Sequence, residues 1–188
     1  VSIIFPNQLY KKNPAIHNNI PAYLVEEWHF FNQYQFHKEK LVLHRASMKF
    51  YEQFLKAEGV VVHYIESIET QNRIALLIDK LNANKVKKIH IVDPVSNWLL
   101  EKIKSSCKQY EIELNIYDNP NFLNTIDQVA DYFLKKKTYF QTDFYTWQRK
   151  SRNILLEKDG KPLGGKWTYD ADNRSKFPKK EAAPKLPS

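Results

Sequence analysis

The sequence predicts an α/β fold: a mostly parallel, five-stranded sheet, doubly wound, with helices on both faces. Short apolar, β-branched runs alternate with amphipathic helical stretches at the spacing of strand-helix-strand units. Those runs are apolar throughout rather than alternating, as strands covered on both faces are. The breakers between them, Gly59 and Asp93-Pro94 among them, fall where one element has to stop.

Residues 1–5, Val-Ser-Ile-Ile-Phe, form a short strand closed by Pro6-Asn7-Gln8, and residues 22–27 form a second that ends on Glu26 and Glu27. Between them, residues 11–21 are rich in Asn, Lys and Pro without periodicity and read as a loop. From 37 to 57, Leu41, Leu43, His44, Met48, Phe50, Tyr51 and Leu55 recur at three and four spacing, so a long amphipathic helix is expected with these on its inner face. Gly59 supplies its stop. Residues 60–65 are a β-branched third strand, and Ile74, Leu76, Leu77, Ile78 and Leu81 mark a helix ending near 82–84. A fourth strand over 86–92, a helix through Trp98, Leu99, Leu100 and Ile103, and a fifth strand over 112–116 complete the sheet. Two further helices are expected at 126–135 and 143–156.

The C-terminal stretch behaves differently. Asp159-Gly160-Lys161-Pro162-Leu163-Gly164-Gly165-Lys166-Trp167-Thr168-Tyr169-Asp170 has no periodic apolar face, yet it holds three of the chain's 4 glycines. It reads as a connecting arm that leads, through a Lys/Pro tail, toward a further segment. The expected organisation is an α/β domain over 1–156 and a linker arm over 157–188.

The chain has 188 residues, 43% hydrophobic and 27% charged, enough for one domain with a real core. Its single cysteine, Cys107, excludes a disulfide framework or a clustered-thiolate metal site built within these residues, which fits a reducing compartment; the cytoplasm is expected. There is no apolar run of about 18 residues and no basic-then-apolar leader, so no membrane or export signal is read. The formal charge of +8, with a pI near 9.3, favours polyanionic partners. The excess leans C-terminal, where Lys135, Lys136, Lys137, Arg149, Lys150 and Arg152 flank aromatic residues.

In doubly wound sheets, ligands collect outside the carboxyl ends of the strands, where the strand order reverses. Residues 5–9, 26–31 and 93–98 are therefore the ones to inspect. No Gly-rich turn follows the first strand, so neither a dinucleotide fingerprint nor a phosphate loop is available. The crevice offers the amides of Asn7 and Gln8, the carboxylates of Glu26 and Glu27, and the rings of Trp28, Phe30 and Phe31. Flat rings with amide and carboxylate edges suit a planar, polyhydroxylated heterocycle. His37, Lys38, Lys40, His44 and Arg45 open the long helix as a basic start beside that crevice, and the two histidines lack a third metal ligand. Glu26 and Glu27 are adjacent, so only one can enter a given pocket and no acid-base dyad is expected. Ser47 and Cys107 have no nucleophile context, and Trp98 and Trp147 are expected to serve packing.

Several blocks in order carry a resemblance to a known family. Phe5-Pro6-Asn7-Gln8-Leu9 resembles its opening strand-end segment, and Leu24-Val25-Glu26-Glu27 its second strand. His37-Lys38-Glu39-Lys40-Leu41 with His44-Arg45-Ala46-Ser47-Met48-Lys49 resembles its first long helix. Phe144-Tyr145-Thr146-Trp147-Gln148-Arg149-Lys150 resembles its later aromatic-basic helix, and Gly164-Gly165-Lys166-Trp167-Thr168-Tyr169-Asp170 with Asn173-Arg174 its linker. The family is that of the deoxyribodipyrimidine photolyase-related proteins, the bacterial photolyase and cryptochrome relatives that carry an iron–sulfur cluster.

That resemblance implies a Rossmann- or flavodoxin-like N-terminal domain that holds a light-harvesting pigment, often a ribityllumazine. A separate helical C-terminal domain would bind FAD and a four-cysteine 4Fe-4S cluster. On this view the whole protein is a light-driven DNA lyase and these residues alone are catalytically silent. The pigment site would draw on Pro6, Asn7, Gln8, Leu9, Glu26, Glu27, Trp28, Phe30, His37, Lys38, Lys40 and Leu41. Some lumazine-binding members place an acidic residue where this chain has Phe30, so a hydrogen bond to the pigment would be either lost or taken over by Glu27. Arg149, Lys150, Arg152 and Arg174 would contact DNA phosphates without reading sequence. The implied partners are the FAD domain and DNA. Two other readings stay open: a nucleic-acid or partner-docking module of the same fold and, more weakly, a small-molecule enzyme, which lacks a convincing nucleophile.

Overall fold

The computed structural model describes residues 1–169 together with Lys176, Pro178, Lys180, Ala182 and Lys185. It divides into two compact units, residues 1–129 and 130–188. The division falls within a helix upstream of residue 156, so the last helix and the arm group together.

In the first unit, β1 (Ser2–Ile4), β2 (Ala22–Val25), β3 (Val62–Ile65), β4 (Lys88–Val92) and β5 (Glu113–Tyr117) form one sheet in the order β3-β2-β1-β4-β5, with every pairing parallel. The order reverses between β1 and β4, which sets the switch point there. Helix α1 (Trp28–Phe31) is a single turn after β2, and α2 (Lys38–Ala57) connects to β3. After a 3-10 turn at Thr70–Asn72, α3 (Ile74–Ala83) leads to β4, and α4 (Asn97–Gln109) leads to β5.

Two apolar cores lie on opposite faces of the sheet. Ile3, Val25, Ile65, Ile89 and Ile91 pack with Leu77, Ile78 and Leu81 of α3 and Leu99 and Ile103 of α4. Ile4, Ala22 and Leu24 pack with Met48, Tyr51 and Leu55 of α2. Helices therefore cover both faces, and the doubly wound α/β class read from the sequence is the observed one.

Helix α2 ends as its sequence directs. Gly59 has φ +83 and the Val60 N–H reaches back to the Leu55 carbonyl at 3.0 Å, a left-handed C-terminal cap that suits glycine. Its inner face is narrower than expected. Met48, Tyr51 and Leu55 are buried, whereas Leu43 and Phe50 are 67% and 74% exposed, because they stand on the opposite side of the helical wheel from Met48 and Leu55.

The β1–β2 connection is the irregular loop expected. Asn13 Nδ2 donates to the Gln8 carbonyl at 3.0 Å, and the Tyr51 hydroxyl donates to the Tyr10 carbonyl at 2.7 Å. His17 Nε2 and His90 Nδ1 both lie within hydrogen-bond reach of the Tyr117 hydroxyl, at 2.7 and 2.9 Å. That trio ties the loop to β4 and β5.

Helix α5 (Ile126–Phe133) runs across the division between units, and α6 (Gln141–Arg152) lies in the second. Tyr132, Phe133, Tyr139, Phe144 and Trp147 form a ring cluster there with centroids 4.6–5.6 Å apart, so Trp147 packs as expected. Helix α6 stops at Arg152 rather than 156, since Asn153 takes a left-handed conformation with φ +53. The chain then doubles back, with Leu156 bridging Pro162 and the Tyr169 hydroxyl donating to the Gly164 carbonyl at 2.8 Å.

Candidate ligand site at the strand ends

Immediately after β2, two consecutive carboxylates point to opposite faces, as their adjacency requires. Glu26 is fully buried on the α2 side. Arg45 of α2 presents its fork to it, Nε donating to Oε1 at 2.7 Å and the terminal nitrogen donating to Oε2. The Tyr64 hydroxyl donates to Oε1 at 2.7 Å and the Ser67 N–H to Oε2 at 2.8 Å. Burial alone would raise this carboxyl's pKa, but the hydrogen bonds from Arg45, Tyr64 and Ser67 outweigh it and hold the group below the usual glutamate value. Both oxygens are taken up inside the protein.

Glu27 serves the other side. It caps α1 by accepting from the His29 N–H at 2.6 Å, and it also takes a hydrogen bond from the Ile74 N–H at the start of α3. Burial pushes its pKa up, against the pull of those two N–H groups and of the Lys102 and Arg73 charges. Around it lies a set of rings and cations. The Arg73 guanidinium sits 5.1 Å from the Trp28 ring, His29 stacks on Trp98 with centroids 5.4 Å apart, and the Lys102 ammonium lies 5.0 Å from the Trp98 ring. Trp98 is 48% exposed and Trp28 half-buried, so the packing role expected for Trp98 gives way to a presented ring. Among the described residues, His29 Nδ1 is buried without a hydrogen-bond partner, as is Gln33 Oε1.

At the switch point Gln8 acts as a clamp. Its Nε2 donates to the Val92 and Asp93 carbonyls at 3.0 and 3.1 Å, and its Oε1 accepts from the Phe5 N–H at 3.4 Å. Both ends of that amide are occupied in tying the β1 end to the β4 end. Asn7 beside it is exposed, and Pro6 is buried.

The remaining residues singled out for a pigment divide between the two faces. Leu9 and Leu41 pack against the α2-side core, while Phe30 packs against both cores. His37 caps α2, its Nδ1 accepting from the Glu39 N–H at 3.3 Å. Lys38 is exposed, and the Lys40 ammonium lies 3.9 Å from the Phe36 ring. These residues accompany Glu26, whereas Trp28 accompanies Glu27.

Sequence reasoning missed His29, Arg73 and Lys102. Arg73 follows the third strand, outside the three segments 5–9, 26–31 and 93–98, and His29 stands between two aromatics, Trp28 and Phe30. Lys102 sits one turn after Trp98 on α4 and was legible only once that ring proved to be exposed.

In the second unit, Arg149 is 5% exposed. Its guanidinium donates to the Ile154 carbonyl at 3.3 Å and to the Leu155 carbonyl, and lies 5.2 Å from the Trp167 ring. The Arg149 side chain, expected from the sequence to contact phosphates, is an internal strut between α6 and the arm. Lys150 is exposed, 5.0 Å from the Trp167 ring, and Arg152 Nε donates to Gln148 Oε1 at 2.9 Å. Arg174, with Asp170 and Asn173, lies outside the described residues.

Among the described residues no group of three or more His, Cys, Asp or Glu side chains is placed to hold a metal ion. Cys107 is buried in the α3–α4 core, and burial pushes its thiol up to about 11. No helix among the described residues is long and apolar enough to cross a membrane.

An uncharacterized protein of Acanthamoeba polyphaga mimivirus is 32% identical over 191 residues, covering 96% of this chain and 96% of that protein. A (6-4) photolyase of Agrobacterium fabrum is 22% identical over 144 residues, which take in 73% of this chain but 28% of that enzyme's length. The family model of the deoxyribodipyrimidine photo-lyase-related proteins matches residues 2–188, and the chain, with its parallel sheet and the strand-end residues just described, belongs to that family.

Proposed function

We propose that these residues form the pigment-binding α/β domain of a cytoplasmic photolyase-like protein. The ligand is a flat heterocycle of the ribityllumazine class, seated against Trp28, His29 and Trp98. The observation that carries this reading is the buried, unpartnered Nδ1 of His29 on a ring stacked against the half-exposed Trp98. A buried polar atom without a partner is costly, and a ligand edge reaching it would remove that cost.

The residues present fit such a group. The Trp28 and Trp98 faces offer stacking surface, and Arg73 and Lys102 supply donors for ring carbonyls. Glu27 fixes the α1 turn that carries both Trp28 and His29. Asn7, exposed at the end of β1, is a polar group for ribityl hydroxyls. When bound, such a pigment absorbs near-ultraviolet or blue light and passes the excitation to a flavin. The FAD and 4Fe-4S cluster would belong to a partner domain outside these residues, where the light-driven chemistry on DNA would take place. Exposed Lys135, Lys136, Lys137 and Lys150 would steer that assembly along the phosphate backbone.

The test is titration of the 188-residue chain with 6,7-dimethyl-8-ribityllumazine, with FMN and a folate as controls, following pigment fluorescence and the melting temperature. Lumazine is expected to be quenched and to raise the melting temperature, and Trp98→Ala or His29→Ala to weaken binding by about tenfold or more. Absence of binding by all three pigments, or binding indifferent to both substitutions, overturns the reading.

A further inference from the structure

Helix α2 carries an outward apolar face that none of the chemistry above uses. Leu43, Ser47, Phe50 and Phe54 stand at i, i+4, i+7 and i+11 and so share one side of the helix over about 16 Å. Ala46 and Ala57 flank them, and this side carries no charge between Lys40 and Glu58. Leu43 and Phe50 are 67% and 74% exposed, and the neighbouring Val42 is 66% exposed. Beside the stripe opens an apolar cavity of about 620 Å³ lined by Leu9, Lys11, Ser47, Phe50, Tyr51 and Phe54.

We propose that this face is a two-fold interface between two copies of the chain, with the α2 helices packed antiparallel. The stripe is complementary to itself. A two-fold axis placed between Ser47 and Phe50 sets the Phe50 ring of each copy over Ser47 of the other, at the mouth of the other's cavity. The same axis sets Leu43 against Phe54. Large residues thus meet small ones or an opening in both directions, as an isologous contact requires.

Charge follows the same symmetry. Lys40 and Glu58 share one flank of the stripe at opposite ends of α2, and the two-fold brings each Lys40 to the Glu58 of the second copy, giving two equivalent ion pairs. Both are exposed, and among the described residues neither forms an ion pair within the chain. One helix pair buries less than a standard-sized interface, so self-association in the micromolar range is expected.

Sedimentation velocity of the 188-residue chain across a concentration series tests this. A monomer–dimer equilibrium is expected, weakened about tenfold or more by Phe50→Asp and comparably by Leu43→Lys. Both side chains are exposed, and circular dichroism checks that each variant keeps its fold. Lys40→Glu alone and Glu58→Lys alone should each weaken the dimer several-fold, and the double exchange should restore it. A chain that stays monomeric throughout overturns the proposal, as does a dimer indifferent to Phe50→Asp and Leu43→Lys. Association that runs on past the dimer overturns it too, since that marks a head-to-tail contact. So does a double charge exchange that fails to rescue, because the register then differs.

Discussion

Arg45 of α2 lays its guanidinium fork along both oxygens of the fully buried Glu26 carboxylate, joining the end of β2 to the helix that covers it. A surface pair of this kind would contribute little. Here one partner is out of water and the other is 44% exposed, so the pair orders the strand end while its desolvation falls mainly on Glu26.

Removing the two partners should have unequal effects. Arg45→Ala leaves a buried carboxylate with only the Tyr64 hydroxyl and the Ser67 N–H, and a loss of about 2–3 kcal/mol is expected. Glu26→Gln leaves a half-exposed guanidinium that water can reach, and should cost about 1–2 kcal/mol. The double variant should lose less than the sum, because the residues share one network. Urea unfolding monitored by circular dichroism measures all three. The sign in pH follows from the lowered carboxyl: its contribution is fully present above the ordinary glutamate pKa and is lost as pH falls through the lower folded value.

The His17–Tyr117–His90 trio predicts a second acid sensitivity at higher pH. His90 is held below the ordinary imidazole value, first by burial and then by the nearby charges of His17, the N-terminal ammonium and Lys88, against the opposing pull of Glu113. A histidine with a depressed folded pKa favours the fold while neutral. Its contribution is therefore complete above about pH 6.5 and is lost as the solution is acidified below that. Melting temperature measured from pH 8 to pH 5 should fall more steeply for the wild type than for His90→Asn, and equal slopes would show that His90 carries none of the effect.

Arg149 holds the arm to α6 by donating to the backbone on the far side of the Asn153 turn. Arg149→Ala removes the charged donor from the Ile154 and Leu155 carbonyls, of which Leu155 keeps the Leu163 N–H at 2.9 Å, a cost of about 1.5 kcal/mol within the second unit. Arg149→Lys should recover little, since a single ammonium cannot span both acceptors as the planar fork does. Limited proteolysis followed by mass spectrometry is expected to cut faster between residues 153 and 169 in both variants. Unchanged cutting would remove the strut role.

Much of this architecture was legible in the chain itself. The alternation of apolar runs and amphipathic stretches, with Gly59 and Asp93-Pro94 as stops, carries the five strands and the long helices, because backbone hydrogen bonding and burial act locally and periodically. The opposed directions of Glu26 and Glu27 follow from strand geometry alone. Helix α1 escaped because a single turn of Trp-His-Phe-Phe has no period to read. Leu43 and Phe50 were misplaced because apolar residues on both sides of α2 match three and four spacing equally well.

What tertiary structure decided is how each polar group is used. Gln8, Glu26 and Arg149 have the side chains of a binding site, and in the fold each is satisfied by the protein itself: by the β4 carbonyls, by Arg45 with Tyr64 and Ser67, and by the arm. His29, unremarkable in sequence, is left with a buried nitrogen and no partner among the described residues. The sequence by itself determined the order of elements, the parallel class and the strand ends, since periodicity and turn chemistry are local. Only the assembled sheet decided which of the side chains at those ends remain open to a ligand, because hydrogen bonds between residues as far apart as Gln8 and Val92 depend on contacts that no local pattern records.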